Sequence, residues 1–223
     1  MADSRYLVGV DLGQAGDYTA VNITEETATY HKFKSLITRE YRVTHLERFR
    51  GVPYTVIVKR ISQMFDNPLL KVYGILLVDK TGVGQAVVDM MRSDGLHPIG
   101  ITITAGHHVT QATDGFNVPK RELITAHLMI MQAGQWKCSS KLDHAETLMR
   151  ELENFQLKIR PSGHITYEAW REDEHDDLVL SVALPAWYGT YTKPYQSSLG
   201  TGEPWKEDEE RNAEWNPLTE GID

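Results

Sequence analysis

The chain has a single cysteine, Cys138, so neither a disulfide framework nor a cysteine-based zinc site is open to it. Long hydrophobic runs are missing as well. The apolar stretches Gly74 to Val78 and Leu178 to Leu184 stop far short of the roughly 20 residues a membrane helix needs. No leader of basic and then apolar residues opens the sequence, since Met1 to Arg5 runs straight into a strand-like segment. Together these absences set the expectation of a soluble protein in a reducing, intracellular compartment, with no membrane partner. A G-x-x-x-x-G-K-[ST] phosphate loop is also absent, which excludes nucleotide-driven motor activity from this chain on its own.

An excess of positive charge is lacking too. The formal net charge is −8, which at first sight argues against a nucleic-acid ligand, because phosphate contacts come from Lys and Arg. The distribution weakens that objection. From Thr190 onward eight acids face three bases, so −5 of the −8 lies in the last stretch of the chain. The composition there shifts to Gly, Pro, Ser and acid, with Trp205 and Trp215 isolated among them. The chain, 223 residues long, therefore divides into one α/β body over residues 1–189 and an acidic tail over 190–223.

Within the body, Tyr6 to Leu12 is apolar at nearly every position, as a central strand covered on both faces must be. Strands over Thr19 to Thr24 and Glu40 to Phe49 follow with short connections and read as an antiparallel meander, the third partly exposed at Tyr41, Val43, His45 and Arg48. Pro53 opens a helix to about Phe65, which Asn67-Pro68 ends. Val72 to Asp79 reads as a second buried strand, followed by a helix to Arg92 and a strand over Ile99 to Thr104, which implies a parallel crossover. His107 to Asn117 reads as a polar loop. Helical spacing returns over Pro119 to Ala133 and Ala145 to Phe155, a hairpin is expected around Pro161 to Gly163, and a last helix begins near Asp173 and is kinked or ended by Pro185.

Two of the buried strands end in an aspartate followed at once by a glycine-bearing turn: Val10-Asp11-Leu12-Gly13 and Val78-Asp79-Lys80-Thr81-Gly82. If the two strands are parallel neighbours, both carboxylates emerge at the carboxyl edge of the sheet, where open α/β folds place their ligands. Two like charges held together there are costly without a cation between them. Asp176-Asp177 brings further acid at the start of the last helix, and Asp177, adjoining the apolar Leu178, is the one expected to point inward. Such a set of hard oxygen donors suits Mg²⁺ or Mn²⁺, and two ions together can drive phosphodiester hydrolysis without a covalent nucleophile. Any one of these acids read alone is an ordinary turn or helix-start residue.

The order of these elements resembles the ribonuclease H-like nucleases, with a mixed sheet (antiparallel meander plus parallel strands) flanked by helices. More narrowly, GVDLGQAGDYTAV, LLVDKTGVGQAVVD, VPKRELI and HDDLVLSVAL are similar to successive blocks of the nuclease domain of large terminase subunits from tailed phages, over about Tyr6 to Tyr188. The resemblance implies that Asp11 bridges two Mg²⁺ or Mn²⁺ ions, that Asp79 ligates one, that Asp177 completes the site with Asp176 beside it, and that Asp17 supports it. It further implies double-stranded DNA as substrate. A packaging ATPase, a portal and a small terminase subunit are the implied partners, with the host cytoplasm as location. Lys120 and Arg121, at a helix start beside the polar loop, are candidate DNA-backbone contacts, and Lys80 stands where it can take a phosphate or pair with Asp79. His175 is a candidate for tuning the site; His107-His108 lacks a third ligand at zinc spacing. Two other functional readings share these features: a structure-selective nuclease of the Holliday-junction resolvase type, and a packaging scaffold without catalysis. GVDLGQAGDYTA is also similar to the first phosphate loop of the actin and chaperone ATPases, which requires a second lobe that this length does not accommodate.

Overall fold

A computed structural model describes residues 2–13, 16–31, 36–158 and 175–194. The expected hairpin around Pro161, and the tail beyond residue 194, lie outside them. Among the described residues a single eight-stranded sheet carries helices on both faces, in the strand order β6-β7-β5-β4-β1-β2-β3-β8. Strands β1 (Ala2–Asp11), β2 (Tyr18–His31) and β3 (Leu36–Arg50) form the antiparallel meander. On its other side β1 pairs in parallel with β4 (Gly74–Asp79), and β4 with β5 (Ile99–Thr104). This is the ribonuclease H-like architecture.

The unbroken apolar character of β1 has a direct structural cause. Tyr6, Val8 and Val10 pack into a cluster with Ile57, Ile61 and Met64 of α1 (Tyr54–Met64), Leu70 of α2 (Pro68–Tyr73) and Val87, Val88 and Met91 of α3 (Gly84–Ser93). Leu7 points the other way, into a cluster with α4 (Lys120–Gln132), α5 (Ala145–Lys158) and α6 (Asp177–Tyr191). Each such side chain contributes on the order of 2 kcal/mol by leaving water. Because side chains alternate along a strand, Gly9 and Asp11 share the Leu7 face and look toward α6.

Helix α6 runs through Pro185 to Tyr191, where the sequence predicted an end or a kink. Proline has no N–H to give the carbonyl four residues back. Asn22, fully buried on β2, replaces it: its Nδ2 donates to the Ser181 carbonyl at 2.8 Å. Space for the ring comes from Gly9, where a Cβ would collide with the Ser181 carbonyl and the Pro185 ring. The end of the helix is tied down beyond the expected boundary at residue 189, since Arg5 Nη2 donates to Thr192 Oγ1 at 2.8 Å.

Other boundaries also moved. Asn67 does not merely end α1; its side chain accepts from the Leu69 amide at 2.9 Å and caps α2, so Val72 and Tyr73 are helical and β4 begins at Gly74. The segment read as a polar loop contains the hairpin of β6 (Thr110–Ala112) and β7 (Gly115–Pro119), and β7 extends the parallel sheet beyond β5. A short β8 (Trp136–Cys138) covers the far edge of β3, and this leaves Tyr41 and Val43 buried rather than half-exposed. No described helix is long and apolar enough to cross a membrane.

Candidate active site

The turn after β1 is held from three sides. The Gly13 amide donates to Thr19 Oγ1 at 3.1 Å, the Tyr54 hydroxyl donates to the Gly13 carbonyl at 2.6 Å, and a Cβ on Gly13 would strike the Tyr18 carbonyl. Asp11 is thereby fixed at the strand end, 9% exposed. Val10 pairs with Val78 in the parallel ladder, which brings Asp79 up beside Asp11 on the α6 face. Asp79 Oδ1 accepts from the Thr81 amide at 2.8 Å, and Gly84 lets α3 start close against the Asp79 carbonyl. Gly84 therefore serves backbone packing.

Burial, and then the negative charges of Asp79, Asp176 and Asp177, hold the Asp11 carboxyl well above the usual carboxylate range. Burial also raises Asp79, opposed by hydrogen bonds from Thr81, by Lys120 and by a hydrogen bond from Asp11. Asp11 and Asp79 thus interact directly, and their burial opposes charge on both. Asp176 is raised by burial as well, with the Lys120 ammonium pulling the other way. Lys120 Nζ donates to Asp176 Oδ2 at 3.2 Å and also acts electrostatically on Asp11 and Asp79. It is a partly exposed cation set among acids.

Asp177 meets a different partner. Arg48 Nε and Nη2 donate to its two oxygens at 2.7 and 2.8 Å, a bidentate grip between largely buried groups. Arg48 Nη2 also lies 3.1 Å from Glu151 Oε1, though off the N–H direction, so that this buried oxygen accepts no aligned hydrogen bond. Glu151 Oε2 accepts from the Leu178 and Val179 amides at 3.1 and 3.3 Å. A carboxyl from α5 thereby caps α6, whose own N-cap residue, Asp176, makes no side-chain cap. Burial and the Asp177 charge push Glu151 up to about 8, against the pull of Arg48 and the two amides.

The structure thus gathers Asp11, Asp79 and Asp176 about Lys120, with Asp177 behind them on Arg48. Asp17 is exposed on the β1–β2 connection and is not among the charges that act most on Asp11. The cations expected at DNA are occupied. Lys80 reaches away from Asp79 to Asp114, at 2.5 Å, and its stem packs where a Gly100 side chain would otherwise lie. Arg121 Nη2 donates to the His107 carbonyl at 2.7 Å and so fastens the loop beside it. Among the described residues no group of three or more His, Cys, Asp or Glu side chains forms a ready cage for a metal ion. Arg48 takes Asp177, and Lys120 takes Asp176.

Sequence reasoning did not single out Arg48 and Glu151 as site residues. For Glu151 a signal exists: it lies on the same helical stripe as the buried Leu148 and Leu152, and a charge on a core stripe needs a partner. Arg48 lies opposite Ala20, as Asp11 does, which puts both on one face, but that requires the register.

No family model and no curated protein matches the sequence. Among solved structures the chain is similar to the large terminase nuclease from thermophilic phage G20c, with a TM-score of 0.50 and 21% identity over 84% of this chain and 83% of that one. The likeness is one of fold.

Proposed function

We propose that the chain is a metal-dependent endonuclease that hydrolyses double-stranded DNA and acts as the nuclease part of a viral DNA-packaging terminase. The observation that carries this reading is the meeting of Asp11 and Asp79, two buried carboxyls at the ends of neighbouring parallel strands, with the Lys120 ammonium on Asp176 beside them. A pair of buried carboxyls so placed is short of positive charge, and a divalent cation supplies it. Asp11, Asp79 and the Asp176–Asp177 pair fit such an ion by their chemistry, all being hard oxygen donors. When bound, one or two Mg²⁺ or Mn²⁺ ions would supply an activated water and stabilisation of the leaving oxygen.

The chain's own residues have separable tasks in this reading. Thr81 orients the Asp79 carboxylate through its amide, Glu151 fixes the start of α6, and Lys120 keeps the acids together before the ion arrives. The fold shared with a large terminase nuclease supports packaging as the setting. With no phosphate loop in the sequence, translocation falls to an ATPase domain or subunit, with the portal and small subunit as further partners in the host cytoplasm. Plasmid cleavage with Mn²⁺ or Mg²⁺ tests the proposal. The parent should cut, and Asp11→Ala should lose on the order of a hundredfold or more; equal rates would end the assignment.

A further inference from the structure

Arg50 ends β3 directly opposite Tyr18 on β2, while Arg48 and Asp11 both lie opposite Ala20. All five therefore share the sheet face toward α6, and Arg50 stands at the same edge as the acids, about 10 Å across the sheet from Asp11 by strand spacing. Eight of the nine arginines among the described residues form ion pairs with carboxylates; Arg50 forms none there.

Arg50 is exposed but not loose. Its Nε donates to the Gly16 carbonyl at 3.1 Å, and its guanidinium carbon lies 5.1 Å from the centre of the Tyr18 ring. That ring also carries Arg48 at 3.8 Å, whose charge Asp177 absorbs. Nη1 and Nη2 of Arg50 meet no acceptor among the described residues. A planar fork, pre-oriented and uncompensated, suits a phosphodiester oxygen pair. Lys80, Lys120 and Arg121 at this edge are engaged by Asp114, Asp176 and the His107 carbonyl. A polyanion approaching an acidic cluster needs a cation that is not already used.

We infer that Arg50, held on Tyr18, is the phosphate anchor that seats the DNA backbone beside the acidic cluster. This rests on the DNA-hydrolase reading above and names a binding residue for it. The test measures affinity for a short blunt DNA duplex by fluorescence anisotropy with Ca²⁺, across a salt series, for the parent, Arg50→Ala, Arg50→Lys and Lys71→Ala. Lys71 sits exposed on α2, on the opposite face, and controls for loss of charge alone. Arg50→Ala should bind roughly tenfold more weakly, with the slope of log affinity against log salt shallower by about 0.9. Arg50→Lys should fall between, and Lys71→Ala should match the parent. In cleavage, KM should rise in Arg50→Ala with kcat nearly unchanged. Unchanged affinity and slope, or an equal loss in Lys71→Ala, overturns the inference while leaving parent cleavage intact. Arg50-dependent binding by a parent that does not cleave would keep the anchor and remove the nuclease; a parent that binds no duplex removes both. Should Arg50→Ala melt early, the affinity of Arg50→Lys decides the matter: a loss of the bidentate fork weakens binding, and parent affinity overturns the inference.

Discussion

The guanidinium of Arg48 grips both carboxylate oxygens of Asp177, at 2.7 and 2.8 Å, across a sequence separation of 129 residues. Strand β3 and helix α6 are joined there by a largely buried ion pair, on which Glu151 also depends for its nearest positive charge. Removing one partner of such a pair strands the other. Arg48→Ala should therefore lower the unfolding free energy by about 3 kcal/mol or more. In urea denaturation, the double variant Arg48→Ala with Asp177→Asn should lose less than the sum of the two single changes. Strict additivity would mean that the pair does not couple.

The replacement of a missing helical N–H by Asn22 makes a second prediction. Asn22→Leu leaves the buried Ser181 carbonyl without a donor, at a cost of about 1 to 3 kcal/mol. Pro185→Ala restores the amide of residue 185 to that carbonyl, so in its background Asn22→Leu should cost markedly less. Thermal unfolding of the four proteins in the cycle measures the coupling.

Glu151 gives the stability a pH dependence of predictable sign. Its carboxyl is pushed up to about 8 in the folded protein, from an ordinary value of 4.5. The folded state therefore favours the proton-bound form, and this contribution is complete below the unfolded value and lost as pH rises through the folded one. The metal-free protein should lose stability between about pH 4.5 and pH 8. Glu151→Gln, which keeps an acceptor for the Leu178 and Val179 amides, should flatten that window and be the more stable protein at its upper end. Chemical denaturation over the pH range, with chelator present, reads the difference. A profile unchanged by the substitution would remove Glu151 as the cause.

The strand ends at Asp11 and Asp79 were legible because a buried strand, an acid and a glycine turn follow one another in the chain, and each leaves a local mark. The same is true of the meander and the parallel crossover. The hairpin of β6 and β7 was not legible, since strands of 3 and 5 residues around Thr113-Asp114 carry too little alternation to separate them from a loop. Nor were the partners of Lys80, Lys120 and Arg121, because a basic residue near a site looks the same in sequence whether it faces a phosphate or a carboxylate. That α6 does not end at Pro185 was hidden for a related reason: the compensation for the missing N–H lies on Asn22, which becomes a neighbour only when α6 lies across the sheet.

If Asp11 and Asp79 meet at one sheet edge in order to hold a divalent cation, Mn²⁺ binding to the DNA-free protein tests it most directly. Titration calorimetry near neutral pH should show saturable binding to the parent, with the heat lost in Asp11→Asn and in Asp79→Asn while both variants remain folded. Binding of Mn²⁺ with unaltered affinity and stoichiometry by those two variants would contradict it.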